Sequence, residues 1–164
     1  APYLIATTDL PLECVLGALL QHKNQTIATA ESCTGGKLAA LLSKHSGSSA
    51  FYKGSVISYA NSVKRDILGV SDEILNTRGA VSEETVIAMA NNIRKQLGAD
   101  YGIAISGIAG PTGGTPEKPV GTVWMAWATP TQTITECVHL GKLREQITDR
   151  ACQKAMVKLI QLLR

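Results

Sequence analysis

No two cysteines stand in a CxxC spacing; Cys14, Cys33, Cys137 and Cys152 are spread across the 164 residues. Neither a zinc site nor a redox pair is therefore indicated, and reduced thiols are expected. No stretch approaches the roughly 18 consecutive apolar residues of a membrane span. The opening "APYLIATTDL" lacks the basic start of a signal peptide. A cytoplasmic protein with no membrane partner is predicted. Aromatic residues make up only 4% of the chain, and the lysines and arginines are scattered, with a net charge of +3 and no basic run interleaved with aromatics. That pattern gives little support to a nucleic-acid partner, and none is expected. Phosphate-bearing small molecules remain compatible with it. Low-complexity tracts are missing too, which argues against disorder.

What is present fits one globular domain over residues 1–164, a length that buries roughly two-thirds of the unfolded surface. In "LPLECVLGALLQHK", Leu12, Val15, Leu16, Leu19 and Leu20 recur at helical spacing. A buried strand is predicted over Thr26–Ala30, then a helix in "KLAALLSKH" with Leu38, Leu41 and Leu42 on one side. "SVISY" at 55–59 predicts a second strand. "VSEETVIAMANNIRKQL" predicts a helix capped by Ser82, with Glu83 and Glu84 in its first turn and Val86, Met89, Ala90, Ile93 and Leu97 on one face. Strands are predicted over 101–106, 120–128 and 133–140, and a closing helix carries Ile147, Ala151, Ala155, Leu159 and Leu162 on a stripe that could face the core or a partner subunit. Helices between the first three strands imply parallel crossovers, and the short link between the last two implies a hairpin. The predicted fold is α/β: a three-layer α/β/α arrangement with a mixed sheet of about five strands, mostly parallel, with an antiparallel hairpin near the C-terminus.

Ligands in such sheets bind at the carboxyl ends of the parallel strands, and "AESCTGG" at 30–36 falls there. Ser32, Cys33 and Thr34 form a row of potential nucleophiles just past the first strand. The backbone N–H groups near Thr34, Gly35 and Gly36 offer an oxyanion hole, and the glycines admit a substrate close to the backbone. The same geometry suits phosphate binding, so position alone leaves both readings open. A serine nucleophile needs a base, and no motif places His22, His45 or His139 beside Ser32. Lys64, in "SYANSVKRDILGV", follows the second strand on the same side. A lysine shielded from water and near another cation, here Arg65, loses its proton more readily. The Gly/Pro-rich loop "SGIAGPTGGTPEKPVGT" follows the third strand, where Ser106, Gly107, Gly110, Gly113 and Gly114 offer donors to a phosphate or ribose. It matches neither a Walker loop nor a dinucleotide fingerprint.

"TAESCTGG", "GSS" at 47–49, "SYANSVK", "GAVSEE" and "SGIAGPTGGTPEKPVGTV" together resemble the C-terminal domain of the competence/damage-inducible CinA family, which also occurs alone as a nicotinamide mononucleotide deamidase. The likeness runs from about Thr26 to Ala128 in five blocks in the same order, and the stand-alone form is expected. The resemblance implies hydrolysis of nicotinamide mononucleotide to nicotinic acid mononucleotide and ammonia, with no cofactor and no metal. It matches Ser32 to the nucleophile, with Cys33 as the rival thiol, and Lys64 to the base. Tyr59 then either orients the base or stacks on the pyridine ring, while Ser106 to Gly114 hold the ribose phosphate. A pyridine nucleotide is the expected partner, and a homo-oligomer the expected assembly. Departures from the family's pattern occur at Ser55, Arg78 and Thr148, where Gly, His and a basic residue are usual, and "LGKLREQITDR" holds one residue more than the family's closing pattern. They keep a second reading open, a paralogue that binds a nucleotide as a regulatory or interaction protein with weak turnover or none.

Overall fold

The computed structural model describes residues 9–164, so the segment read above for a leader lies, up to residue 8, outside the described residues. Helix α1 (Leu12–His22) starts after Pro11, whose missing N–H costs nothing where helical amides are unpaired anyway. Strand β1 (Ile27–Glu31) is buried along its whole length, as expected of a strand covered on both faces. Helix α2 (Lys37–Leu42) and a short 3-10 turn (Ser48–Ala50) lead to β2 (Tyr52–Ile57). Two short helices, α3 (Asn61–Asp66) and α4 (Asp72–Thr77), precede α5 (Glu83–Gln96). Strands β3 (Tyr101–Gly107), β4 (Thr122–Ala128) and β5 (Thr133–His139) follow, and α6 (Arg144–Leu163) closes the chain.

The five strands stand in the order β2-β1-β3-β4-β5. β1 pairs in parallel with β2 and β3, while β4 is antiparallel to both β3 and β5, so β4 alone runs against the rest. The mixed sheet predicted from the sequence is thus present, with helices on both faces. Strand alternation sorts the layers. On one face Ile27, Ile103, Ile105, Val123, Met125 and Trp127 meet α1, α2 and α6. On the other, Ala28, Ala30, Ala104, Ala126 and Ala128 meet Val86, Met89 and Ile93 of α5. The alanine face lets α5 lie close: a Cβ on Gly102 would come 2.4 Å from the Ala90 carbonyl. The stripe of α6 is spent on the core, since Ile147, Ala151, Ala155 and Leu159 are fully buried, and Trp127 Nε1 donates to the Ala155 carbonyl at 3.0 Å.

β2 departs from its predicted bounds. It starts at Tyr52 and ends at Ile57 rather than spanning 55–59. Ile27 pairs with Tyr52 but Ala28 with Gly54, so Lys53 is an extra residue in a bulge. Gly54, at φ 145°, takes the backbone conformation the irregularity requires. The bulge hides the first half of the strand from a period-two pattern, and Ser58 and Tyr59 are released beyond its end. That release positions them over the carboxyl edge of the sheet.

Candidate active site

β1, β2 and β3 end at one edge, and the three segments singled out in the sequence leave the sheet there. The Ser32 N–H still donates to the Ile105 carbonyl at 3.0 Å, so the nucleophile candidate is fixed by the ladder it has just left. Its own carbonyl accepts the Gly35 N–H at 3.0 Å, closing a tight turn. Gly35 and Gly36 adopt φ of 58° and 101°, where a side chain would be strained. Beneath this turn lies Glu31, fully buried. Its Oε1 accepts the Thr34 hydroxyl at 2.6 Å and the Leu38 N–H at 3.0 Å, and its Oε2 accepts the Ala39 N–H at 2.8 Å. Hydrogen bonds to a charged group contribute about 1.5–3 kcal/mol each. Three of them hold the Ser32 turn to the start of α2.

Lys64 projects from α3 into the same place and is 1% exposed. Its Nζ lies 2.9 Å from Ser32 Oγ, 2.7 Å from the Ser58 carbonyl and 3.2 Å from the Tyr59 carbonyl. Burial lowers its pKa from 10.5 to about 8, because the ammonium loses its hydration. Arg65 does not cause this: it faces outward, bonded to Asp66 at 2.8 Å and Asp72 at 3.4 Å. Cys33 is moved the opposite way, with burial raising its thiol to about 11. Near neutral pH the sulfur is therefore almost wholly protonated and a poor nucleophile.

Ser32, Lys64, Tyr59, Asn61, Ser106 and Arg144 line a cleft of about 200 Å³, whose wall also includes Cys33 and Gly107. No histidine lines it; His45 pairs with Glu13 elsewhere. Tyr59 is 60% exposed and its hydroxyl accepts from Arg144 Nη2 at 2.8 Å. Ser106 is buried and donates to the Ala80 carbonyl at 2.8 Å. The Gly110 carbonyl accepts from Arg144 Nη1 at 2.7 Å. Gly113 and Gly114 do not line this cleft; they are exposed in the Gly/Pro loop, where Gly114 packs against Val120. The Gly35 amide is used within the turn, while among the described residues those of Thr34 and Gly36 donate to no protein group. A wider outer compartment of about 450 Å³ shares Cys33, Tyr59 and Arg144 with the cleft and adds Thr34, Gly35, Lys37, Glu145 and Thr148.

Sequence reasoning missed Glu31, Asn61, Lys37 and Arg144. Glu31 stood inside the quoted motif as an acid in a strand buried on both faces, which is itself a signal. Arg144 opens a helix, where a cation is electrostatically unfavourable and so invites a reason. Lys37 opens the shorter α2 in the same way, whereas Asn61 carries no comparable mark. Of the three departures, Ser55 is bonded within the sheet to Thr29 and Tyr52, and Arg78 pairs with Glu84 at 3.3 Å. Neither borders the cleft; Thr148 borders the outer compartment alone.

A serine hydroxyl against a buried, readily deprotonated amine can support nucleophilic attack on a carbonyl carbon. No group of acidic, histidine or cysteine side chains able to hold a metal occurs among the described residues, and none of their helices is long and apolar enough to cross a membrane. The model of the CinA C-terminal domain matches residues 9–163. A CinA-like protein of Cytophaga hutchinsonii is 54% identical over 82% of this chain and 32% of its own length. One from Salinibacter ruber is 51% identical over 76% of this chain and 30% of its own length. The chain spans about a third of the length of these curated relatives. Among solved structures, the competence damage-inducible protein A (ComA) of Klebsiella pneumoniae superposes with a TM-score of 0.90 at 38% identity, covering 93% of this chain and 94% of that one. The competence/damage inducible protein CihA of Agrobacterium tumefaciens gives a TM-score of 0.89 at 35% identity, with 93% and 96% covered.

Proposed function

The chain belongs to the CinA C-terminal domain family, and on that footing we propose that it hydrolyses the carboxamide of nicotinamide mononucleotide, giving nicotinic acid mononucleotide and ammonia. The observation that carries this reading is the 2.9 Å contact between Lys64 Nζ and Ser32 Oγ, made by an amine that burial brings to a pKa of about 8. A neutral amine has two N–H bonds and one lone pair. With the hydrogens given to the Ser58 and Tyr59 carbonyls, the lone pair is left for the Ser32 hydroxyl.

In the first half-reaction Ser32 Oγ attacks the carboxamide carbon while Lys64 takes the hydroxyl proton. The Thr34 amide, which donates to no protein group among the described residues and belongs to a residue on the adjoining compartment's wall, is the turn's candidate donor to the resulting oxyanion, while Gly36 lines neither compartment. Lys64 then passes its proton to the amide nitrogen, the C–N bond breaks and ammonia leaves, with a nicotinoyl ester on Ser32. In the second half, water gives its proton to Lys64 and attacks the ester. The acid leaves, and Lys64 returns a proton to Ser32 Oγ. Tyr59 helps hold the base, since its carbonyl is one of the two that fix the amine.

The test is ammonia release from nicotinamide mononucleotide by the wild type, Ser32→Ala and Lys64→Ala. Loss of about 10³-fold or more in both variants is expected. Unchanged hydrolysis in Ser32→Ala would overturn the assignment. A folded wild type that binds the nucleotide without releasing ammonia would establish the binding-only paralogue instead.

A further inference from the structure

The proposed reaction gives no task to a hollow of about 240 Å³ between α1 and the segment that follows α2. Much of its wall is apolar. Gly17 of α1 lies so close to the Phe51 ring that a Cβ would meet it at 2.6 Å, and Leu42 at the end of α2 adds a branched side chain. Against these walls α1 sets one acidic group, Glu13, only 7% exposed. It stands in the first turn of the helix, where the positive end of the dipole favours a carboxylate. His45 Nε2 lies 2.9 Å from Glu13 Oε1. Among the described residues Glu13 Oε2 meets no protein group. Every fully buried side-chain nitrogen or oxygen among them does have a partner, so Oε2 opens onto the hollow that Glu13 lines.

One carboxylate oxygen is enough to tie α1 to the loop after α2, and His45 takes it. The second oxygen is an acceptor held where water is scarce, so its pull on a cation exceeds what it would be in bulk solvent. We infer that this hollow binds a small primary ammonium ion with an apolar body, its N–H groups donating to Glu13 Oε2 and its hydrocarbon part lying between Leu42 and Phe51. The same carboxylate repels an anion. A neutral apolar molecule would strip Oε2 of water and leave it unpaired, which weakens its binding. The hollow shares no lining residue with the cleft or the outer compartment, and nothing in this assignment requires turnover at Ser32.

The test uses benzylammonium and its neutral counterpart of the same shape, benzyl alcohol. Each is titrated into the wild type, Glu13→Gln and Ala18→Leu, with amide chemical shifts reporting both affinity and place. The wild type should bind benzylammonium about tenfold or more tightly than benzyl alcohol, with the largest shifts at Gly17 and Gly47 on the wall. Glu13→Gln keeps the volume and removes the charge, so the preference should vanish. Ala18 is an exposed wall residue of α1, so Ala18→Leu leaves Glu13 in place and obstructs the hollow. It should weaken both ligands about tenfold, and it keeps the question answerable if Glu13→Gln does not fold. Equal wild-type affinities for the two ligands, a preference that survives Glu13→Gln, or binding that ignores Ala18→Leu would each overturn the site. Because binding is read directly, failure of the deamidase reading leaves this result unchanged.

Discussion

Lys64 stands 2.9 Å from Ser32 in a cleft of about 200 Å³, and His45 stands 2.9 Å from Glu13 beside a hollow of about 240 Å³ at the far end of α2. The spacings agree, but the surroundings do not. Lys64 is 1% exposed, and its contacts are two carbonyls and a hydroxyl, none able to compensate a full positive charge. The His45 side chain keeps 44% of its exposure and meets a carboxylate. Contacts of that partly solvated kind contribute about 0–1 kcal/mol. A readily deprotonated amine is made here by withholding water and counter-charge, and contact distance says little about it.

The strongest way to sharpen the contrast is to remove the buried amine while keeping its volume. Lys64→Met should lose about 10³-fold or more in ammonia release and yet be more stable than the wild type by up to about 3 kcal/mol, the cost of lowering a lysine from 10.5 to about 8. The sign follows from protons bound. Below pH 8 the lysine is charged in both folded and unfolded states and the full cost applies. Between about 8 and 10.5 the unfolded chain binds more protons, so wild-type stability should rise relative to Lys64→Met, as denaturant melts at several pH values would show. Wild-type turnover should climb with pH through about 8 and level off above it, because the neutral amine is the working form in the proposed reaction. A flat profile between pH 6 and 9 would break the comparison.

A smaller effect is expected from Glu31→Gln, which puts an amide N–H against one of the N–H or O–H donors of the turn. The kcat should fall about 10- to 100-fold, with KM little changed, since in the proposed reaction the turn presents both the Ser32 nucleophile and the Thr34 amide. Steady-state kinetics separates the two parameters. The smallest effect belongs to the other pair. His45→Ala should leave turnover as it is and shift stability by no more than about 1 kcal/mol, and a large loss of activity would mean that the far end of α2 is coupled to the cleft.

The sheet and its covering helices were legible because their residues obey local periods. Val86, Met89, Ala90 and Ile93 mark α5, with Ser82 accepting the Thr85 N–H at 3.2 Å as its cap. Ser32 and Lys64 could be paired from sequence because each follows a parallel strand, and topology brings such ends together. The bulge at Lys53 was not legible, since an inserted residue erases the alternation that announces a strand. α3 and α4 have six residues each and, unlike the equally short α2 with Leu38, Leu41 and Leu42, carry no apolar face long enough to declare a helical period. Arg144 reaches the cleft across 85 residues from Tyr59, through the packing of α6, and no local pattern encodes that reach.

The reversal of β4 has a practical consequence. Because β4 runs against β3, their connection leaves and rejoins the sheet at one edge, so its excursion spans no strand. Residues 111–117 are exposed at its tip, and none of them lines the cleft. A surface tether at Glu117 would therefore stay off the cleft wall, which makes that tip the natural handle for an immobilised assay.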